Sequence, residues 1–129
     1  MMDAHTNYNE QAVLTMYVWN NFRHLRTDDE NLAEHAITVE VKMGPHLFRS
    51  EPLPRLATER ERYKDNTYVQ KALELGLSGL QKMVKDRITK EMPPTFFVNR
   101  CPQCQRILAT PKAQQCLWCG ADWHNTEAS

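Results

Sequence analysis

Two pairs of cysteines near the end of the 129-residue chain constrain its folding more than any other feature. Cys101 and Cys104 form the first Cys-x-x-Cys pair, and Cys116 and Cys119 form the second, with eleven residues between the pairs. Two intervening residues allow both thiolates of a pair to reach one ion at about 2.3 Å, and two pairs complete a tetrahedral shell. The spacing therefore predicts a metal site whose ligands are these four cysteines.

The segment between the pairs is suited to bring them together. Residues 106–109 are strand-like and residues 110–113 predict a turn, so a hairpin would place the two cysteine turns face to face. Gly120 follows the second pair, where a left-handed backbone directs amides toward sulfur. Gln105 stands in the corresponding place after the first pair, so we expect that turn to be less ideal.

Zinc in a structural role is the predicted occupant, because four thiolates leave no open position for a catalytic water. Four cysteines also suit an electron-transfer iron centre, although paired turns do not by themselves select iron. His124 is either an alternative ligand, in a site of three cysteines and one histidine, or a histidine at the surface or just outside the metal shell. In an oxidising compartment the four thiols would instead form disulfides, with three possible pairings.

The C-terminal part of the chain resembles the four-cysteine zinc-ribbon, or rubredoxin-like, modules. The ending from Asn99-Arg100-Cys101-Pro102 through Thr110-Pro111 to Cys116 and His124 is also similar to that of small uncharacterised bacterial proteins. This resemblance covers residues 99–124 and implies metal binding without a particular activity. Because so small a ribbon buries little apolar surface, we expect metal binding to supply much of its folding energy.

Helical periodicity dominates the residues before the cysteines. Apolar side chains recur at spacings of three and four over about residues 10–25 and again over residues 67–91, the strongest pattern in the chain. Asn7 with Glu10 resembles a cap for the first of these helices. Trp19 lies off the apolar stripe, which predicts either an exposed contact or packing against a later element.

The middle of the chain is less uniform. Thr27 and Glu30 form a capping box that predicts a helix from Asp28 to at least Ala36. Residues 37–43 fit both a helix and a half-buried strand, and we favour the helix.

A proline-rich segment and a second helical cap follow. Three prolines between Gly44 and Pro54 predict an irregular connector. Thr58 and Glu61 form a further possible capping box. Such a box would start a helix just after Thr58.

Two glycines interrupt the long helical pattern. Gly76 and Gly79 predict either a hinge or close approach of a partner backbone, or a tight helix crossing within the chain. Trp118 and Trp123 pose a similar choice, between a contact surface for a partner and packing that replaces a core.

These patterns predict an α+β fold that is mostly α. A helical region with one long helix occupies residues 1–94, and a small zinc ribbon occupies residues 95–129. The oligomeric state is left open.

Charge is balanced overall but sorted along the chain. Sixteen basic and sixteen acidic residues cancel, which argues against a globally basic nucleic-acid binder. Residues 1–51 carry a net charge of −4 and residues 52–129 a net charge of +4. No apolar stretch approaches the ~20 residues needed to cross a bilayer, and no secretory signal opens the chain, so we expect a soluble cytoplasmic protein.

The motifs favour a binding protein over an enzyme. The five histidines are scattered, and no Gly-rich phosphate loop, His-Glu-x-x-His or Gly-x-Ser-x-Gly motif occurs. The predicted function is a non-enzymatic zinc protein that binds a protein partner, and an immunity- or antitoxin-like inhibitor is a narrower version of it. The alternative is a nucleic-acid-binding factor. Its candidate basic residues are Lys82, Lys85, Arg87, Lys90, Arg100, Arg106 and Lys112.

Overall fold

The structure, a computed structural model, describes residues 8–43 and 54–123. These ranges contain four α-helices, α1 (Glu10–Asn21), α2 (Asp28–Met43), α3 (Pro54–Glu61) and α4 (Thr67–Glu91). After α4 the described chain consists of turns with two isolated antiparallel β-bridges. The prediction of a mostly α chain is confirmed for these ranges, where the β part of the predicted α+β fold is limited to the two bridges. None of the described helices has an apolar stretch long enough to cross a membrane.

The chain packs as two compact units. One unit comprises residues 26–84, and the other comprises residues 1–25 together with residues 85–129. The cysteine turns therefore share a unit with α1, which lies far from them in sequence. The division of the chain into residues 1–94 and 95–129 stays a prediction.

Helix α1 is shorter than predicted. Asn9 is its N-cap, and the side chain of Asn9 accepts a hydrogen bond from the Ala12 N–H at 3.0 Å. The proposed cap Asn7 lies outside the described residues. The helix ends at Asn21 because Phe22 leaves helical geometry, and a short 3₁₀ helix follows at Arg23–Leu25.

The aromatic side chains of α1 and Phe22 form part of a core. The ring of Phe22 packs edge-on against Phe96 with centroids 4.9 Å apart and lies 5.5 Å from the ring of Tyr17. Trp19 is buried, so its predicted role as an exposed contact is wrong. Phe96 is buried in this core, and residues 96–98 do not form a strand.

The capping box of α2 is confirmed. The Glu30 N–H donates to the Thr27 hydroxyl at 3.1 Å, and the Glu30 carboxylate accepts from the Thr27 N–H at 2.9 Å. The helix continues through residues 37–43, so the strand alternative is wrong there. Buried Ala33, Ala36 and Ile37, at helical spacing, explain why the helical pattern prevails.

Helix α3 begins earlier than predicted. Pro54 is its first residue, a position where proline loses no hydrogen bond and its fixed φ suits a helix. Thr58 therefore lies inside the helix, and the proposed capping box of Thr58 and Glu61 is wrong. The predicted connector over residues 44–53 lies outside the described residues.

The packing of α2 and α3 includes a polar contact. The Arg60 guanidinium donates to both carboxylate oxygens of Glu40 at 2.8 and 2.6 Å, and the Tyr63 hydroxyl donates to the same carboxylate at 3.1 Å. The hydrogen bond from Arg60 lowers the pKa of Glu40. Burial, followed by the bond to Glu40, raises the pKa of Tyr63 to about 12.

Helix α4 has the predicted bounds but is kinked. Gly76 has φ 80° and ψ −179°, a region that is essentially restricted to glycine, so the helix is interrupted at this residue. The apolar spacing predicted one continuous buried face along α4. This prediction is wrong next to Gly76, because Leu77 is 44% exposed while Ala72 and Leu80 are buried.

The second glycine of α4 is required by side-chain packing. A Cβ atom at position 79 would lie 2.3 Å from the Cβ of Leu75, closer than any real contact. The group that lies close to Gly79 is therefore the Leu75 side chain of the same helix. The kink at Gly76 and the contact at Gly79 together account for both glycines.

The kink predicts the effect of Gly76→Ala. We expect this variant to lower the free energy of unfolding by about 1–3 kcal/mol, because alanine does not tolerate these dihedral angles. Urea unfolding followed by circular dichroism would measure the change. Ser78→Ala, at an exposed helical position, is the matched control and should change stability by less than about 0.5 kcal/mol. Equal stability of Gly76→Ala and wild type would contradict a required break in α4.

Candidate metal centre

The first cysteine turn is organised by hydrogen bonds to sulfur. The backbone N–H groups of Gln103 and Cys104 donate to the Sγ of Cys101 at 3.3 and 3.4 Å. Gln105 then adopts a left-handed conformation with φ 66°, and its N–H donates to the Cys101 carbonyl at 2.9 Å. The turn thus aims two amide dipoles at one sulfur, which favours the thiolate form.

The second turn repeats this arrangement. The N–H groups of Trp118 and Cys119 donate to the Sγ of Cys116 at 3.3 and 3.5 Å. Gly120 has φ 82° and donates its N–H to the Cys116 carbonyl at 2.9 Å. The residue after each pair is therefore left-handed, and the turn that ends in Gln105 is as regular as the turn that ends in Gly120.

A single β-bridge closes each turn. The bridges pair Arg100 with Ile107 and Gln115 with Asp122. The N–H of each first cysteine also donates to a carbonyl five residues later, at 2.9 Å for Cys101 and 2.8 Å for Cys116. We refer to residues 99–108 and 114–123 as the two knuckles. The predicted strand at 106–109 is reduced to the bridge at Ile107.

The four sulfurs converge on one point. The ligand atoms of Cys101, Cys104, Cys116 and Cys119 all lie within 4.8 Å of one another. Two contacts run between the knuckles, Cys101 to Cys119 at 3.6 Å and Cys104 to Cys116 at 3.7 Å. A tetrahedron with metal–sulfur bonds of about 2.3 Å has edges of about 3.8 Å, so these separations fit a four-coordinate ion.

All four cysteines are free thiols in this geometry. A disulfide requires sulfurs about 2.05 Å apart, much closer than the separations between the knuckles. The structure therefore brings together every cysteine that the sequence singled out, and the arrangement is competent to coordinate a metal ion.

The thiols influence one another strongly. Burial disfavours the thiolate of Cys101, but the N–H donors of Cys104 and Gln103 outweigh it and lower its pKa to about 7. The Ala121 N–H favours the thiolate of Cys119, but desolvation and the neighbouring thiols outweigh it and raise its pKa to about 11. Some of the four sulfurs therefore keep their protons, and a bound cation could replace these protons.

A small apolar core surrounds the sulfurs. Cys101, Cys116 and Leu108 are buried together, and Trp118 and Trp123 are partly buried against them. The two tryptophans therefore pack around the cysteines, as expected if they replace a core. His124 lies outside the described residues, so its predicted place near the metal stays a prediction.

Helix α1 holds the knuckles through its tyrosine. The hydroxyl of Tyr17 donates to the Phe97 carbonyl at 2.8 Å and accepts from the Asn99 N–H at 3.1 Å. The side-chain amide of Asn21 donates to the Ala109 carbonyl at 2.9 Å. These bonds satisfy backbone groups on both sides of the first knuckle.

The residues before and at the start of α1 add aromatic and charged contacts. The ring of Tyr8 lies edge-on to Trp118 with centroids 4.8 Å apart, and its hydroxyl accepts from the Ile107 N–H at 3.1 Å. The Arg100 guanidinium donates to both oxygens of Glu10 at 3.3 and 2.6 Å and, as the largest influence, lowers the pKa of that carboxyl. Sequence reasoning missed these contacts, because partners 90 or more positions apart leave no local pattern.

An apolar groove lies between α1 and the knuckles. It has a volume of about 610 Å³. The exposed side chains of Met16 and Leu117 lie on opposite walls, and Leu117 is 80% exposed. Its lining residues, none of them charged, are Ala12, Val13, Met16, Tyr17, Asn20, Ile107, Leu108, Ala109, Leu117 and Trp118.

Several candidate nucleic-acid-binding residues are engaged within the protein. Lys85 is buried, with its amine 2.7 Å from the Asp86 carboxylate and 3.0 Å from the Gln11 side-chain oxygen. Arg87 donates to the Leu25 carbonyl at 2.8 Å. The Arg100 pair and the Arg106 guanidinium, which lies 5.3 Å from the centroid of the Tyr8 ring, bring the engaged groups to at least four of the seven.

The described histidines stand apart from any metal-binding cluster. The ring nitrogen of His35 lies 3.0 Å from the Glu59 carboxylate, which also accepts from Arg62 at 2.9 Å. Among the described residues, the group of metal-binding side chains that the structure assembles consists of the four cysteines.

Comparison with known proteins does not assign this chain to a family. No protein-family model, curated protein or solved structure matches this chain. The assignment of the candidate site therefore rests on the geometry of the four cysteines.

The role of α1 predicts the effect of Tyr17→Phe. We expect this variant to lower the free energy of unfolding by about 1–3 kcal/mol, because it leaves the Asn99 N–H and the Phe97 carbonyl without their partner. Thr15→Ala removes a hydroxyl from the same helix that bonds only locally, to the Gln11 carbonyl, and should change stability by less than about 0.5 kcal/mol. Urea unfolding of the two variants would test this difference, and equal effects would contradict the role of Tyr17.

Proposed function

We propose that this chain is a zinc-binding protein in which the two knuckles form a zinc ribbon and the metal is structural. The observation that carries this proposal is the convergence of Cys101, Cys104, Cys116 and Cys119 within 4.8 Å. Four sulfur ligands fill a tetrahedral shell and leave no position for a substrate or water. A closed shell supports a structural role over a catalytic one.

Zinc suits this donor set better than hard divalent cations do. Thiolates disfavour hard cations such as Mg²⁺ and Ca²⁺, and zinc accepts a tetrahedral shell without an electronic penalty. When bound, zinc would cross-link the two knuckles and replace the protons of the thiols. The small core around Leu108 could then persist without a larger apolar interior.

Metal analysis tests this proposal directly. Protein purified under reducing conditions should contain one zinc per chain by elemental analysis, and Cys116→Ser should lose it. His35→Asn, which changes a histidine outside the cysteine cluster, is the matched control and should keep the metal. Visible absorption from iron bound to thiolates would contradict the choice of zinc.

Chelation should also unfold the knuckles. Structural zinc in small modules binds with an apparent free energy of about 10–16 kcal/mol, so its removal should abolish their fold. Treatment with a strong chelator should therefore abolish the near-ultraviolet circular dichroism of Trp118 and Trp123. This signal measures the unfolding. Unchanged spectra after complete metal removal would contradict a structural role.

We further propose that the protein acts by binding a protein partner through the groove. The supporting observations are the exposed Met16 and Leu117 and the absence of charged side chains from the groove lining. An uncharged apolar groove is complementary to an apolar segment of a protein and offers nothing to the phosphates of a nucleic acid. The zinc-bound knuckles would hold one wall of this groove rigid.

Cross-linking from the groove tests the partner. A photoreactive residue at position 117 should yield one cross-linked protein in the native host, identified by mass spectrometry. Met16→Glu should lower the yield by about tenfold, as expected for a loss of about 1.4 kcal/mol. The same residue at position 41, which is 70% exposed in the other unit, is the control. Equal yields from both positions, a cross-link to nucleic acid, or one to a second copy of this chain would contradict the proposal.

A further inference from the structure

The four cysteines are unequally accessible. Cys101 and Cys116, the first residues of the two pairs, are completely buried. Cys104 is half-buried, and Cys119 is exposed. A reagent from solvent would therefore meet the cluster at Cys119.

The exposed sulfur has a buried neighbour on the other knuckle. The Sγ of Cys119 lies 3.6 Å from that of Cys101, and Cys104 and Cys116 form a second contact between the knuckles at 3.7 Å. Each sulfur of one knuckle thus lies within 3.7 Å of a sulfur of the other.

We propose that the cysteine cluster is a peroxide-sensitive switch, in which oxidation begins at Cys119 and produces disulfides Cys101–Cys119 and Cys104–Cys116 with release of the metal. This inference rests on the proposed zinc site and adds its regulation. The oxidant is a hydroperoxide, with hydrogen peroxide as the simplest member.

Each disulfide forms in two steps. With zinc bound, Cys119 would be held as a thiolate. This thiolate attacks one peroxide oxygen, the O–O bond breaks, and sulfenic acid and hydroxide are formed. The Cys101 thiolate then attacks the Cys119 sulfur, which forms the disulfide and expels a second hydroxide. The sulfurs lose two electrons and the peroxide gains them. A second peroxide oxidises Cys104 and Cys116 in the same way.

Oxidation would reach the partner groove. Disulfide sulfurs are poor ligands for zinc, so the knuckles would lose the ion that cross-links them. Leu117 and Trp118, which line the groove, belong to the second cysteine turn. The peroxide reaction would thus remove one wall of the proposed binding site.

The first experiment uses the zinc-loaded full chain. Hydrogen peroxide is added in the presence of dimedone, which traps sulfenic acids, and peptide mass spectrometry locates the label. Without dimedone, zinc release is followed with a chromogenic chelator and the disulfides are mapped. We expect the label on Cys119, zinc release in step with oxidation, and the two disulfides between the knuckles. Label mainly on another cysteine, or disulfides within each Cys-x-x-Cys pair, would overturn the proposal.

Two histidine variants provide a matched comparison. Cys119→His removes the exposed thiol and puts in its place a side chain that can also bind zinc. We expect Cys119→His to slow peroxide-driven zinc release by about tenfold or more, because imidazole does not form a sulfenic acid. His35→Asn, which leaves all four cysteines in place, should release zinc at the wild-type rate. Equal rates for the two variants would overturn the entry of oxidant at Cys119.

The result for wild-type protein separates this inference from the proposed function. Protein that holds one zinc but keeps it under excess peroxide would overturn the switch and leave the zinc site standing. Protein that holds no zinc would overturn the zinc site itself. If either histidine variant fails to fold, the dimedone label and disulfide map of the wild-type chain still decide the proposal.

Discussion

The gathering of four sulfurs within 4.8 Å is the constraint on which the C-terminal part of the structure depends. Thiols this close cannot all ionise without a cation, and the opposite pKa shifts of Cys101 and Cys119 express that conflict. The amide donors of both turns favour negative charge on sulfur, while the neighbouring sulfurs oppose it. A divalent ion resolves this opposition, which is why metal binding and folding of the knuckles should be inseparable.

Helix α1 is the second support of the knuckles. The hydroxyl of Tyr17 satisfies two backbone groups beside the first knuckle, and Glu10 pairs with Arg100. Because the same helix also lines the groove, structural support and the proposed partner surface share one element. A metal-dependent change in the knuckles would therefore alter the groove directly.

Most of the helical structure could be predicted because its signals are local. The capping box of Thr27 and Glu30 and the bounds of α4 follow from spacing alone. The end of α1 could not be predicted, since Phe22 leaves the helix where it packs against Phe96, a distant residue. The kink at Gly76 was signalled only by the glycine, and its dihedral angles depend on the packing around it.

The spacing of the cysteines was enough to predict which four residues make up the candidate site, because Cys-x-x-Cys spacing restricts where two sulfurs of one turn can point. The packing of the chain added that Gln105 is left-handed like Gly120, that Cys119 is the exposed cysteine, and that Tyr17 holds the first knuckle. Exposure and contacts between distant segments are properties of the packed chain, and no spacing along the sequence encodes them.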